Sequence, residues 1–290
     1  MKPPAFEYSR PESVVEAVTL LAELGPDGKV LAGGQSLIPL LSMRLATPAH
    51  LLDINRIAEL DYVRCDGGGV RAGALARHAG VERDAGARST QPLLSQALRM
   101  VAHPTIRNRG TTLGSIVHAD PAGEMPTVLC LLGGSVTVAA VSGRRIIRAE
   151  DFFLGPLESA LRPDELAIEV FFPALSRLSG TAFEEISRRH GDYAMCGVGA
   201  LVCLDEDLRI TSARAGYLSI AGTPLVLDLT EAVRGRTFDG DLSGAVELAR
   251  TAVDPAADIH ASADYRRQLA AVLTHRTLCS AARTAAGVSA

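Results

Sequence analysis

The chain has 290 residues, 47% apolar and 21% charged, which is enough for one large domain or two moderate ones around a buried core. Its net charge of -4, with basic residues spread in ones and twos, excludes a general attraction to nucleic acid or an anionic membrane. The opening run MKPPAFEYSRPES lacks a secretion signal's apolar core and no stretch approaches the ~18 apolar residues of a membrane span, so a cytoplasmic protein is expected.

Ser13 followed by Glu16 makes a capping box, and Val14, Ala17, Val18, Leu21 and Leu24 repeat at helical spacing until Gly25-Pro26 stops the pattern. KVLA then reads as a strand, SLIPLLSMRL as a short helix and HLLDIN, from His50, as a second strand, so the chain opens on a small α/β unit. GVRAGAL from Gly69 is strand-like. PLLSQALRMVAH is a helix opened by Pro92, and MPTVLCLLGG is a helix ended by glycines. SVTVAAVSGRRIIRAEDF predicts two strands about a Ser-Gly turn, DELAIEVFFP a strand stopped by Pro173, and ALSRLSG a linker. The runs AFEEIS, GVGALVCLDED and RITSARAGYLSIAG are β-rich. Helical stretches near 228–235 and 242–252 and a long helix from Ser262 complete a smaller α+β domain from about residue 176.

Five cysteines without a C-x-x-C pair signal neither disulfides nor a zinc or iron–sulfur site, and the seven histidines show no ligand spacing, so no metal ligand is assigned. Two segments carry more information. In VLAGGQSLIPLL the bare backbone of Gly33 and Gly34 lies between a strand and a helix, where consecutive N–H groups suit a phosphate or pyrophosphate. It is neither G-x-G-x-x-G nor a lysine-bearing P-loop, and an ordinary turn explains it as well. RNRGTTLGSIVHADPAGEMP again combines glycines and hydroxyls with a strand-like stretch, followed by Asp120 and Glu124. Two such loops can grip a pyrophosphate from two sides, with Asp120 or Glu124 taking ribose or ribityl hydroxyls. The alternative is a loop satisfying its own turn, with His118 and Asp120 as capping residues. Ser36 lacks a G-x-S-x-G context, RRHGDYAM reads as a loop between strands, and the paired Phe residues of EDFFLGP read as core.

Taken in order, FEYSRPESVVEAVTLLAE, VLAGGQSLIPLLSMRLA, LLDINRI, VAHPTIRNRGTTLGS, HADPAGEMP, EDFFLGP, RRHGDYAM and DIHASADYRRQLA resemble the medium, FAD-binding subunit of the molybdenum hydroxylases of the carbon monoxide dehydrogenase and xanthine dehydrogenase type. The resemblance covers nearly the whole chain. It implies an α+β protein: a two-subdomain FAD-binding domain of the vanillyl-alcohol oxidase type over residues 1–175, divided near residue 56 into 1–56 and 57–175, and a C-terminal flavoprotein domain over 176–290 with an antiparallel sheet. It implies that Ala32, Gly33, Gly34, Gln35 and Ser36, adjoined by Leu31 and Leu37, wrap the FAD pyrophosphate, and that Thr111, Thr112, Gly114 and Ser115 complete the clamp. Glu124, with Asp120 near it, then faces the cofactor's sugar-alcohol part. Val101 and Ala167 lie near the flavin ring and Tyr193 over it.

The implied role is an oxidoreductase subunit with no acid, base or nucleophile of its own. Electrons come from [2Fe-2S] clusters on a small subunit, fed by a large molybdopterin subunit, and pass through FAD to an external acceptor. The implied assembly is a dimer of heterotrimers, a heterohexamer. Two positions depart from the family pattern. Leu113 stands where relatives have glycine and must avoid positive φ. Glu184 stands where some relatives have a lysine near the flavin, and a negative charge there would disfavour reduced flavin. A stand-alone flavin oxidoreductase, or a scaffold domain that has lost FAD, are the alternatives, the second resting only on the altered loop at Leu113.

Overall fold

A computed structural model describes residues 2–288 of the chain. Its first unit runs β1 (Glu7–Ser9), α1 (Val14–Leu24), β2 (Gly28–Leu31), α2 (Leu37–Ser42) and β3 (His50–Asp53). The strands form a parallel sheet in the order β1-β3-β2, with Leu51 of β3 paired to Tyr8 on one side and Lys29 on the other. Helix α1 begins where its cap residues dictate: the Ser13 hydroxyl accepts the Glu16 N–H at 3.2 Å and the Glu16 carboxylate accepts the Glu12 N–H at 2.8 Å. It buries Val14, Ala17, Val18 and Leu21, and burial of Val18 or Leu21 stabilises by about 1.5–3 kcal/mol each.

The second unit holds β4 (Val63–Asp66), β5 (Gly69–Gly73), α3 (His78–Arg83), α4 (Ala85–Thr90), α5 (Pro92–Leu98), α6 (Pro104–Arg107), α7 (Thr112–His118) and α8 (Glu124–Leu132). It closes with β6 (Ser135–Ala140), β7 (Gly143–Arg148), α9 (Ala149–Phe152), the hairpin β8 (Phe153–Gly155) and β9 (Glu158–Ser159), and β10 (Leu166–Pro173). Its sheet has the order β4-β5-β10-β6-β7, antiparallel throughout, with a bulge in β10 between Ala167 and Glu169. Of the paired Phe residues read as core, Phe152 is fully buried and Phe153 packs half-buried against the same core.

The third unit is an antiparallel sheet in chain order, β11 (Ser179–Ser187), β12 (Ala194–Leu204), β13 (Ile210–Leu218) and β14 (Leu225–Asp228), followed by α10 (Thr230–Val233), α11 (Ser243–Ala252) and α12 (Ala263–Ala285). α12 covers one face of this sheet, and α8 and α5 of the second unit cover the other. Strand alternation sorts the residues between those faces: Ala182 joins the core under α12, and Phe183 joins the core shared with the N-terminal units. That shared core runs from Val18 of α1 through Val128 and Val170 to Phe183 and Leu218, so the first two units have one interior and the third is docked on it. Among the described residues no helix is long and apolar enough to cross a membrane.

The segment from Thr112 to His118 is a helix, where the sequence reads as strand-like. The Thr111 hydroxyl caps it by accepting the Gly114 N–H at 3.1 Å, and Leu113 and Ile116 then share a buried face three residues apart. Leu113 is accordingly helical and 1% exposed, without positive φ, so the altered loop lends no support to a domain that has lost its ligand. The helix opened by Pro92 stops at Leu98, well short of His103, and the turn that follows puts Ala102 at φ 42°.

Candidate functional site

Strand β2 delivers the chain into Ala32–Ser36, and α2 follows at once. Ile38 donates to the Gly34 carbonyl at 3.0 Å, but the N–H groups of Gly33, Gly34, Gln35, Ser36 and Leu37 donate to no acceptor among the described residues. Nor does the Ser36 hydroxyl cap α2. A part-exposed run of five such donors is unusual, since most buried or half-buried backbone groups are paired, and it has the form of an anion cradle. The two glycines are required for different reasons. Gly34 has φ 75°, and a Cβ on Gly33 would lie 2.4 Å from the Arg109 carbonyl oxygen and 2.8 Å from the Gly110 Cα. The first loop therefore lies directly against the second.

The second loop enters α7 through Thr111. Its backbone is fixed from behind by His78, whose N–H donates to the Gly110 carbonyl at 2.9 Å, and by Ala76, whose carbonyl accepts the Thr112 N–H at 3.1 Å. Thr112 is fully buried with its hydroxyl 3.4 Å from His78 Nδ1. Its N–H is thus engaged internally, and its hydroxyl lies against the His78 ring. The Gly114 N–H is taken by Thr111. Burial, with Arg107 nearby, pushes the His78 imidazole down to about 4, so this support is neutral near pH 7. What the second loop leaves for a ligand is chiefly the part-exposed Ser115 hydroxyl and the N–H of Leu113.

Helix α7 carries the chain on to Asp120 over about 10 Å. Asp120 accepts the Ala122 N–H at 2.9 Å, a turn-forming bond, and Glu124 opens α8. Burial pushes the Glu124 carboxyl up to about 7. Burial, with Glu124 nearby, pushes Glu185 up to about 8. Glu185 thus faces α8, whereas its neighbour Glu184 points to the other side of the sheet and pairs with Arg276 of α12 at 2.8 Å. The charge at position 184 is thereby paired on the α12 side of the sheet. The carboxyl group on the α8 side is one residue further on.

Val101, 8% exposed, has its carbonyl held by Arg107 at 3.0 Å. Two residues on, the His103 ring meets His190 edge-on at 5.6 Å and lies against Gly191. The RRHGDYAM segment, a loop between β11 and β12 as expected, is thereby brought over the VAHP turn. Tyr193 in that loop is 70% exposed and lines, with Asp120, a cleft of about 900 Å³ between the second and third units. Ala167 is buried at the bulge of β10, against which α7 packs.

The sequence reading missed a polar network behind both loops. Asn55 Nδ2 donates to the Ala32 carbonyl at 2.8 Å and to Asp53 at 2.6 Å, while Asn55 Oδ1 accepts Arg77 Nη2 at 2.7 Å. Arg77 Nη1 donates to the Arg109 carbonyl at 2.7 Å. Tyr8 anchors the far end by donating to Asp53 at 2.5 Å. Burial opposes ionisation of Asp53, but the bonds it accepts from Tyr8 and Asn55 hold its carboxyl below the ordinary value. The LLDIN motif, an Asp-x-Asn at a strand end, is the trace of this network in the sequence, and Arg77 left none.

Residues 4–175 match the family model described as the FAD binding domain in molybdopterin dehydrogenase, and residues 181–281 match the CO dehydrogenase flavoprotein C-terminal domain. The chain is 44% identical over 285 residues to the caffeine dehydrogenase subunit beta of Pseudomonas sp. strain CBB1, covering 97% of this chain and 96% of that one. It matches the solved structure of carbon monoxide dehydrogenase from Hydrogenophaga pseudoflava with a TM-score of 0.92 at 35% identity, covering 98% of this chain and 99% of the other. Quinoline 2-oxidoreductase from Pseudomonas putida 86 matches with a TM-score of 0.92 at 34% identity and the same coverage. A cradle of bare N–H groups at the start of an FAD-binding domain, in a chain related to such proteins along almost its full length, leads to one assignment: it belongs to the FAD-binding medium subunits of the molybdenum hydroxylases, a family of oxidoreductase complexes.

Proposed function

We propose that this chain holds FAD along the line from the Gly33–Leu37 loop, past α7, to the Tyr193 loop, as the electron-exit subunit of a molybdenum hydroxylase complex. The observation that carries this reading is the run of five unpaired N–H groups from Gly33 to Leu37, set against the second loop. A charged phosphate oxygen accepting from a backbone donor gains about 1.5–3 kcal/mol, so a few such bonds anchor a dinucleotide. FAD, when bound, supplies the redox chemistry that passes electrons from [2Fe-2S] clusters on a partner subunit to an external acceptor.

The chain's residues bind, orient and shield. Leu31 and Ala32 flank the cradle, Leu37 ends it with its N–H, Ser36 adds a hydroxyl, and the Gln35 amide braces the loop by donating to the Gly33 carbonyl at 3.2 Å while keeping a second N–H for a ligand. Ser115, with the capping Thr111 and Gly114, closes the opposite side. Glu124, with Asp120 beside it, offers carboxyl oxygens to the cofactor's hydroxyls; Val101 and Ala167 wall the ring; Tyr193 covers it. Thr112 serves this arrangement by holding the loop through His78. The fold reading that accompanies these roles is a vanillyl-alcohol-oxidase-type FAD domain over 1–175, with subdomains meeting near residue 56, and a flavoprotein domain over 176–290.

The expected partners are a small iron–sulfur subunit and a large molybdopterin subunit, arranged as a dimer of heterotrimers in the cytoplasm. The names of the relatives support the coarser point that such chains belong to multi-subunit complexes. One is a "complex subunit alpha" and another a "medium subunit", both from Paenarthrobacter nicotinovorans. The test is direct. The purified full chain should take up one equivalent of added FAD and retain it through gel filtration, and the native complex should carry iron and molybdenum; a chain that fails to take up FAD overturns the reading.

A further inference from the structure

The two loops meet edge to edge, and what fastens them is a chain of three hydrogen bonds: Ala32 carbonyl to Asn55, Asn55 to Arg77, Arg77 to Arg109 carbonyl, at 2.8, 2.7 and 2.7 Å. Asn55 cannot rotate its amide without breaking this chain. Its two N–H bonds go to the Ala32 carbonyl and to Asp53, and its oxygen accepts from Arg77. Arg77 uses its planar fork to reach two acceptors that lie 54 residues apart in sequence, one from each side of the seam, in a fixed spacing that a compact ammonium does not reproduce. Both acceptors are uncharged oxygens, and the Asp61 and Asp53 carboxylates act on the guanidinium charge without pairing directly with it. The Arg109 cation lies close enough to act on it. The seam therefore carries two cations beside a row of free N–H donors, with Asp53 and Asp61 offsetting part of their charge.

We propose that Arg77 is a positioning residue of the flavin site, which through Asn55 locks the two loops in register and, with Arg109, supplies the positive field for the FAD diphosphate. This rests on the reading of the two loops as the diphosphate site. The perturbation is selective because the free backbone donors belong to Gly33–Leu37, not to Arg77. Its loss should loosen the spacing of donors that remain present.

The experiment is FAD titration of the flavin-stripped full chain at low and high ionic strength, with the melting temperature of each variant as a control on folding. Arg77→Met should weaken FAD binding by about 10-fold or more at low salt, and the deficit should shrink at high salt as the electrostatic part is screened. Arg77→Lys should restore the salt-sensitive part but not the remainder, and Asn55→Ala should lose affinity with the parent's salt dependence kept. If Arg77→Met does not fold, the Lys and Asn55 variants carry the same test. Binding by both Arg77→Met and Asn55→Ala within about threefold of the parent overturns the proposal. So does a loss that salt does not alter and Arg77→Lys does not relieve. A parent chain that binds no FAD overturns the flavin reading itself and this proposal with it.

Discussion

Replacing Gly33 by alanine tests the site with one methyl group. The added Cβ would lie 2.4 Å from the Arg109 carbonyl oxygen, where a relaxed carbon–oxygen contact is about 3.3 Å, so the loops must part by about 0.9 Å. The obstacle is backbone on both sides, Arg109 and Gly110, and no side-chain rotation relieves it. Carried by the second loop, that movement stretches the 2.7 Å Arg77–Arg109 bond towards about 3.6 Å, beyond hydrogen-bonding distance. One charge-assisted bond lost, or one donor to a phosphate oxygen misplaced, costs about 1.5–3 kcal/mol, which corresponds to a roughly 10- to 150-fold weaker FAD affinity. Fluorescence titration of the flavin-stripped chain, beside a melting curve showing that the variant folds, measures it. Gly33→Ala binding FAD within threefold of the parent would refute the claim that the two loops form one site whose spacing matters.

Glu185 predicts a pH effect. An unfolded glutamate titrates near 4.5 and the folded Glu185 near 8, so the folded state keeps a proton that the unfolded state releases, and the parent loses stability as pH rises through that interval. Glu185→Gln removes that loss, and the difference in melting temperature, variant minus parent, should rise between about pH 5 and about pH 8; a flat difference rejects the assignment. Thr111→Ala deletes the cap that accepts the Gly114 N–H and should cost about 1 kcal/mol, a few degrees of melting temperature, whereas Thr111→Ser should not. Leu131→Ala empties the space where fully buried Leu131 of α8 meets Gly199 and Gly216 of the third unit, and should cost about 2–5 kcal/mol in denaturant unfolding; a change below about 1 kcal/mol would show that this docking is loosely packed.

What the sequence disclosed about this protein follows how local each feature is. The start of α1 needs only Ser13, Glu16 and a helical repeat within one turn of each other, so it is legible without the fold. The segment Thr112–His118 is too short for its repeat to declare itself, and its threonine, isoleucine and valine argue for a strand; a cap at Thr111 and two core contacts overrule them. Glu184 and Glu185 show a different gap. Adjacent strand residues face opposite ways, and which of them looks towards α8 depends on α12 covering the other face, a fact located some 90 residues downstream.

The same reasoning accounts for the Gly33-Gly34 pair. In sequence it is equally a turn or a cradle, because a glycine is chosen for what approaches it, and nothing local says what does. The approaching group is the Arg109–Gly110 backbone, itself placed by bonds donated from Arg77 and His78. Arg77 in turn is placed by Asn55, 22 residues earlier, which is why an arginine with no motif around it fixes the geometry of a loop that has one. Substitutions that keep the Ala32–Ser36 motif intact but alter residues 55 or 77 should therefore harm flavin binding more than changes to exposed Ile38 or Pro39 beside it, since the first set moves the seam and the second only its margin.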